Sequence, residues 1–173
     1  MSPFVDPNTV HNPSAGAVAP SAWGDTVRDD LVFLSSPPRG SASHSTTENH
    51  NSSGNWLGLS ANTEAKDTDA AHSTSTNTGR VTIVTPGDYL FEAVIEWQAN
   101  TTGVRGAKLV ENGATDHFGE LFPASTTGAH RTTITALITG LAAADYVQPY
   151  GYQNSGGTLT MQLLRYSWLY VGI

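Results

Sequence analysis

Apolar and polar residues alternate with a period of two through most of the second half of the chain. In "YLFEAVIEWQ", Tyr89, Phe91, Ala93, Ile95 and Trp97 point one way while Glu92, Glu96 and Gln98 point the other. This is the pattern of a strand with one buried and one wet face. "RVTIV" puts Val81 and Ile83 on one face before Thr85-Pro86-Gly87-Asp88 turns the chain. "GVRGAKLVE" ends at Asn112-Gly113, a favoured hairpin turn. "HRTTITALITGL" sets Ile134, Ala136 and Ile138 against a Thr-rich face, and "DYVQPYGYQ" alternates Tyr146, Tyr150 and Tyr152 with small residues. After a turn at Asn154 to Gly157, "TLTMQLLRYSWLYVGI" closes the pattern. Short strands at regular spacing with Gly-rich turns predict an all-β fold, an antiparallel jelly-roll sandwich, with its core in residues 80–173 and its start as early as residue 50.

The first half obeys other periods. Residues 1–20 hold Pro3, Pro7, Pro13 and Pro20 among small and polar residues, which predicts an extended arm. From Ser21, a helix cap, Trp23, Val27, Leu31 and Leu34 recur at helical spacing, and Pro37 and Pro38 end the element. Val32 and Phe33 lie off that stripe, so the predicted helix is apolar on more than one face. Such a short helix is marginal alone and packs either against a partner or on its own domain. Trp23, Val27, Leu31, Phe33 and Leu34 are therefore the candidate anchor, and residues 1–40 the anchoring unit. Residues 41–79 read as a polar linker, with "NWLGLS" around Trp56, Leu57 and Leu59 as one possible edge strand.

Composition narrows the partners. The net charge is −7, and the eight basic residues are scattered, which argues against nucleic acid. Cysteine is absent, so disulfides and thiolate metal sites are excluded. The apolar runs are too short to insert in a membrane, and the N-terminus lacks the pattern of a secretory signal. Synthesis in a cytoplasm follows as the expectation, and the sequons at Asn51 and Asn100 lose their meaning.

Candidate chemistry is sparse. Glu92 and Glu96 share a strand face, but four residues of strand separate them by about 13 Å, beyond the roughly 5 to 9.5 Å of a glycosidase pair. His44, His50, His72, His117 and His130 match no ligand spacing, the cluster of Asp116, His117 and Glu120 included. Asp67 and Asp69 lack the glycine and distal glutamate of a helical calcium loop and read as a polar turn. No nucleophile elbow, phosphate loop or dinucleotide fingerprint occurs. No catalytic residue, cofactor or metal is expected.

"GRVTIVTPGDYLFEAVIEW", "GLAAADYVQPYGYQNSGGTLT" and the terminal "YSWLYVGI" resemble the jelly roll of the complement globular head and tumour necrosis factor, with Asp88 as an extra residue in the Pro-Gly-Tyr turn. "DTDAAHSTSTNTGRVTI" and "APSAWGDTVRDDLVFL" are similar to small bacteriophage virion proteins of this type, often described as minor tail proteins. The resemblance implies a homotrimer around an aromatic and aliphatic axis. By that resemblance Tyr89, Phe91, Tyr150, Tyr152, Trp168 and Tyr170 are candidates for the domain core or for that axis. The Tyr-rich strand and the C-terminal strand, apolar on both faces, ask for cover on both, by another subunit or by a loop of the linker. The expected function is structural, in a virion, on the tail rather than the capsid surface, bound to other phage proteins. The alternative is recognition of a host surface glycan or receptor by loops bearing Asn112, Asp116, His117 and Asn154. A polysaccharide-degrading enzyme ranks below both, as does a secreted signalling ligand of the same fold.

Overall fold

The computed structural model describes residues 21–44, 46–51 and 54–172. The expected arm, residues 1–20, and the side chain of Trp23 lie outside them. Helix α1 spans Ser21–Ser35, one residue longer than its apolar pattern. Eleven strands follow: β1 Arg39–Ser43, β2 Glu48–His50, β3 Leu57–Gly58, β4 Thr63–Asp67, β5 Val81–Thr82, β6 Gly87–Trp97, β7 Val104–Glu111, β8 Thr115–Pro123, β9 His130–Leu141, β10 Tyr146–Gln153 and β11 Leu159–Gly172. They form two sheets, ordered β4-β1-β11-β6-β9, with β2 also on β11, and β3-β10-β7-β8, with β5 also on β10. Every pairing is antiparallel. The expected jelly-roll sandwich is the fold.

The alternation fills the space between the sheets as predicted. Tyr89, Phe91, Ala93, Ile95 and Trp97 of β6 are buried, facing Ala107 and Leu109 of β7 and Val147 of β10 across the core. β11 adds Tyr166, Trp168 and Tyr170, and β9 adds Ile134 and Ile138. Rings run in a file through this core: Phe33 to Tyr170 at 5.1 Å, Tyr170 to Tyr89 at 5.4 Å, Tyr89 to Phe91 at 5.9 Å and Phe91 to Tyr166 at 6.0 Å. Aromatic side chains of this size carry much of the apolar area that stabilises a small sandwich.

One expectation gives way here. Residues 41–79 are not a linker: they supply most of β1 and all of β2, β3 and β4, and the sandwich starts at Arg39. β1 lies inside the larger sheet between β11 and β4, pairing Gly40 with Trp168 and Ala42 with Tyr166. Its sequence, "RGSAS", carries no apolar alternation, because its inward positions hold only Gly40 and Ala42. Those small residues are required there: a Cβ on Gly40 would overlap the Trp168 indole and come within 2.6 Å of the Lys66 carbonyl. "NWLGLS" is an edge strand as expected, β3 on β10.

The helix packs on its own domain by one of its two apolar faces. Phe33, off the predicted stripe, is buried against Tyr170, while Leu31 and Leu34 of the stripe face solvent and Val27 is half-buried. The chain after the helix is bound to the same place, since Tyr170 donates its N–H to the Pro38 carbonyl at 2.8 Å. Proline at 37 and 38 forces the chain out of the helix and straight into β1, so the phase of contact is set by the exit, and the stripe does not set it.

Candidate functional site

The outward residues of the larger sheet follow from the alternation that fills the core. On β6 they include Leu90, Glu92, Val94 and Glu96, on β11 Arg165, Ser167, Leu169 and Val171, and on β9 Arg131, Thr133, Thr135 and Leu137. Register places Leu169 beside Leu90 and Leu90 beside Leu137, so three leucines cross three neighbouring strands in one row. They are 38%, 39% and 57% exposed, and Val171 is 50% exposed. A contiguous apolar row on a sheet face is the mark of an interaction surface, where single exposed leucines are ordinary. The sequence carried a signal for it: each leucine occupies the polar phase of its strand.

Next to the leucines the face turns small and charged. Glu92 is in register with Ser167 and Thr135, and Val94 with Arg165. Ser41, Ser43, Glu92, Val94, Arg165 and Ser167 line an open groove of about 380 Å³. Glu96 is held by Arg131, whose Nε donates at 2.9 Å. Among the described residues the side chains of Glu92 and Arg165 make no hydrogen bond or ion pair.

The six aromatic candidates separate into two places. Tyr89, Phe91, Trp168 and Tyr170 lie between the sheets of one chain, and burial pushes the pKa values of the Tyr89 and Tyr170 phenols up. Tyr150 and Tyr152 are half-buried on the outer face of the smaller sheet. No single axis between copies is lined by all six, because an inward phase on β6 and β11 and an outward phase on β10 point to different spaces. The inward side of β10 consists of Val147, Pro149, Gly151 and Gln153, so its tyrosines take the outer side.

The loop candidates are occupied by their own chain. Asn112, at φ 51° in the β7–β8 turn, donates from Nδ2 to Asp145 at 2.8 Å and accepts the Tyr146 N–H at 3.0 Å. Asn154 accepts the Val104 N–H at 2.6 Å. Asp116 takes both of its 2.8 Å bonds from Lys108 Nζ, and His117 Nε2 lies 2.7 Å from Glu111. Asn112 and Asn154 are thus clamps of turns, and the four do not converge on one ligand. Asp67 and Asp69 accept backbone N–H groups from Asp69, His72 and Thr85, which makes them the polar turn expected. Among the described residues no three His, Asp or Glu side chains gather around a position for a metal ion.

His50 and Arg105 are buried, and His130 is half-buried. Burial lowers the pKa of His50, opposed by the charge of Glu48 and reinforced by that of His44. Burial and then Arg105 lower that of His130, and burial lowers that of Arg105. Arg105 is fully buried and donates to the Asn100, Thr102 and Val104 carbonyls, so it ties down the β6–β7 loop.

No protein-family model and no curated protein matches this sequence. Solved structures do. The globular domain of a zebrafish complement 1qA protein is 16% identical over 78% of this chain and 97% of its own, with a TM-score of 0.59. Murine APRIL is 8% identical over 77% and 99%, with a TM-score of 0.56. The Eiger TNF of S. frugiperda is 14% identical over 78% and 94%, with a TM-score of 0.52. The fold is the jelly roll of these heads. At such identities the likeness concerns the path of the backbone. Fold alone leaves function to the surfaces.

Proposed function

We propose that this protein is a non-enzymatic structural module of a bacteriophage particle: a homotrimer that docks on other virion proteins by its N-terminal segment and displays its jelly roll, on the tail rather than the capsid surface. The observation that carries the assembly is the row of Leu169, Leu90 and Leu137, left uncovered in a single chain. The fold supports it, since the resemblance to complement and tumour necrosis factor heads implies three copies. Leu31 and Leu34, 60% and 64% exposed on a helix fixed at the foot of the sandwich, supply the docking contact. The likeness of "APSAWGDTVRDDLVFL" to virion proteins supports the location.

Sedimentation equilibrium tests the assembly: three copies are expected for the intact protein, and one folded copy for Leu90→Asp combined with Leu137→Asp. Wild-type protein that stays a monomer at high micromolar concentration sinks the trimer. Electron microscopy of intact particles, labelled with an antibody to the jelly roll, tests the location. Decoration at threefold positions on the tail is expected, and loss of incorporation with Leu31→Ser and Leu34→Ser.

A display module also has something to meet. Recognition of a host surface glycan or receptor is the second reading, favoured by the aromatic outer face of the smaller sheet.

A further inference from the structure

Along β10 the outward side chains are Tyr146, Gln148, Tyr150 and Tyr152, all half-buried. Gly106 of β7 lies beside Tyr152, and Lys108 beside Tyr150. Trp56, just before β3, lies across this face with its ring centroid 5.4 Å from that of Tyr152. A Cβ on Gly106 would come within 2.8 Å of the Trp56 Cη2, so glycine at 106 is what seats the indole on the sheet. Lys108 Nζ sits 5.0 Å from the Trp56 centroid and 5.7 Å from that of Tyr150, fixed in place by Asp116. Leu121, 54% exposed, borders the cluster.

We propose that this patch, centred on Trp56, Tyr150 and Tyr152, is a binding site for a neutral glycan. The proposal rests on the display reading in one respect: copies joined through the leucine row leave this opposite face pointing outward. A sugar ring offers C–H groups on its faces and hydroxyls at its rim. Indole and phenol rings match the first, and Asp116 and the tyrosine hydroxyls match the second. The Asp116 side chain is 60% exposed, and a carboxylate bound by one lysine keeps acceptor sites for hydroxyls. Charge selects among ligands: Lys108 and Asp116 cancel, so the patch suits a hydroxylated ligand better than a sulfated or phosphorylated one. The rings are also pre-positioned, Trp56 by its glycine seat and both Trp56 and Tyr150 by the lysine between them, which lowers the ordering cost of binding. Three such sites on one trimer turn weak single contacts into firm attachment.

The test is an array of immobilised neutral and acidic oligosaccharides probed with the full-length protein, with sedimentation equilibrium run on the same sample. Retention on neutral oligosaccharides is expected, weakened at least tenfold by Trp56→Ala and by Tyr152→Ala, and largely kept by Trp56→Phe. Circular dichroism confirms that each variant folds, and Tyr152→Ala carries the test if Trp56→Ala does not. Absence of retention on any neutral oligosaccharide, preference for acidic ones, or equal retention of both alanine variants overturns the proposal. So does dissociation of the trimer by Trp56→Ala, which would make the patch a contact between copies. If the trimer forms and the array stays empty, only the glycan site falls. If the protein is a monomer, the assembly falls, and the array is read with the monomer.

Discussion

Tyr166 joins the two sheets by one polar bond inside an apolar core: its hydroxyl donates to the Val147 carbonyl at 3.0 Å. Burial pushes its pKa far up, so it remains a donor at any ordinary pH. Tyr166→Phe removes this bond and is expected to cost about 1 kcal/mol; chemical denaturation should show a lower midpoint with an unchanged slope. His50 is buried as well, with Nε2 lacking a hydrogen-bond partner and 3.9 Å from Glu48. Its folded pKa lies below the ordinary 6.5, so the unfolded chain takes up the proton first. The stability it supports is complete above pH 6.5 and is lost as pH falls below that value. Thermal midpoints should drop between pH 7 and pH 5, His50→Leu should flatten part of the drop, and the remainder belongs to His130, shifted in the same direction. A profile equally steep in His50→Leu would contradict this. At this scale the sequence was half legible. Alternation identified which aromatics turn inward on β6 and β11. It did not distinguish an asparagine that binds a ligand from one that clamps a turn, because Asn112 and Asn154 satisfy partners 33 and 50 residues away.

Elements were legible where their own residues dictate them and hidden where neighbours do. β6 and β9 alternate strongly and were read nearly to their ends. β1, β2 and β4 are short polar segments that become strands because β11 and one another offer unpaired backbone groups, a cause that lies elsewhere in the chain. Gly40→Ala tests this for β1: the added methyl must displace the Trp168 ring or the β4 backbone. A loss of about 1–3 kcal/mol, typical of overpacking, is expected in thermal or chemical unfolding. For α1 the helical period was right, and of its two apolar faces it is the one bearing Phe33 that packs on the sandwich. Among the described side chains of α1, Phe33 alone is buried, so its removal should free the helix without unfolding the sandwich. Phe33→Ala is expected to erase amide protection of residues 21–35 in hydrogen exchange while β6 and β11 keep theirs. Equal loss of protection in both would show that the helix is part of the main cooperative unit.

For the whole molecule, the leucine row gives the proposed trimer its affinity but not its geometry, since apolar contact is not directional. Glu92 and Arg165 flank that row on the same face, in the groove of about 380 Å³, and neither is paired within the described residues. In a ring of three copies every contact is heterologous, so one copy's glutamate meets a different region of its neighbour and the arrangement closes on itself. Opposite charges left free beside an apolar row suit this role: each can find its complement on the next copy, which sets the register, while the leucines supply the affinity. Reversing either charge alone places like charges together. Glu92→Lys and Arg165→Glu are therefore each expected to weaken assembly about tenfold or more, read as a shift in the concentration at which the trimer dissociates in sedimentation equilibrium. The double variant restores opposite signs at every contact and should recover most of the loss. Raising the salt concentration should narrow the gap between single and double variants, because partly exposed pairs are screened. If the two single variants assemble like the wild type while Leu90→Asp does not, the charges are solvated bystanders and the register is set by shape alone.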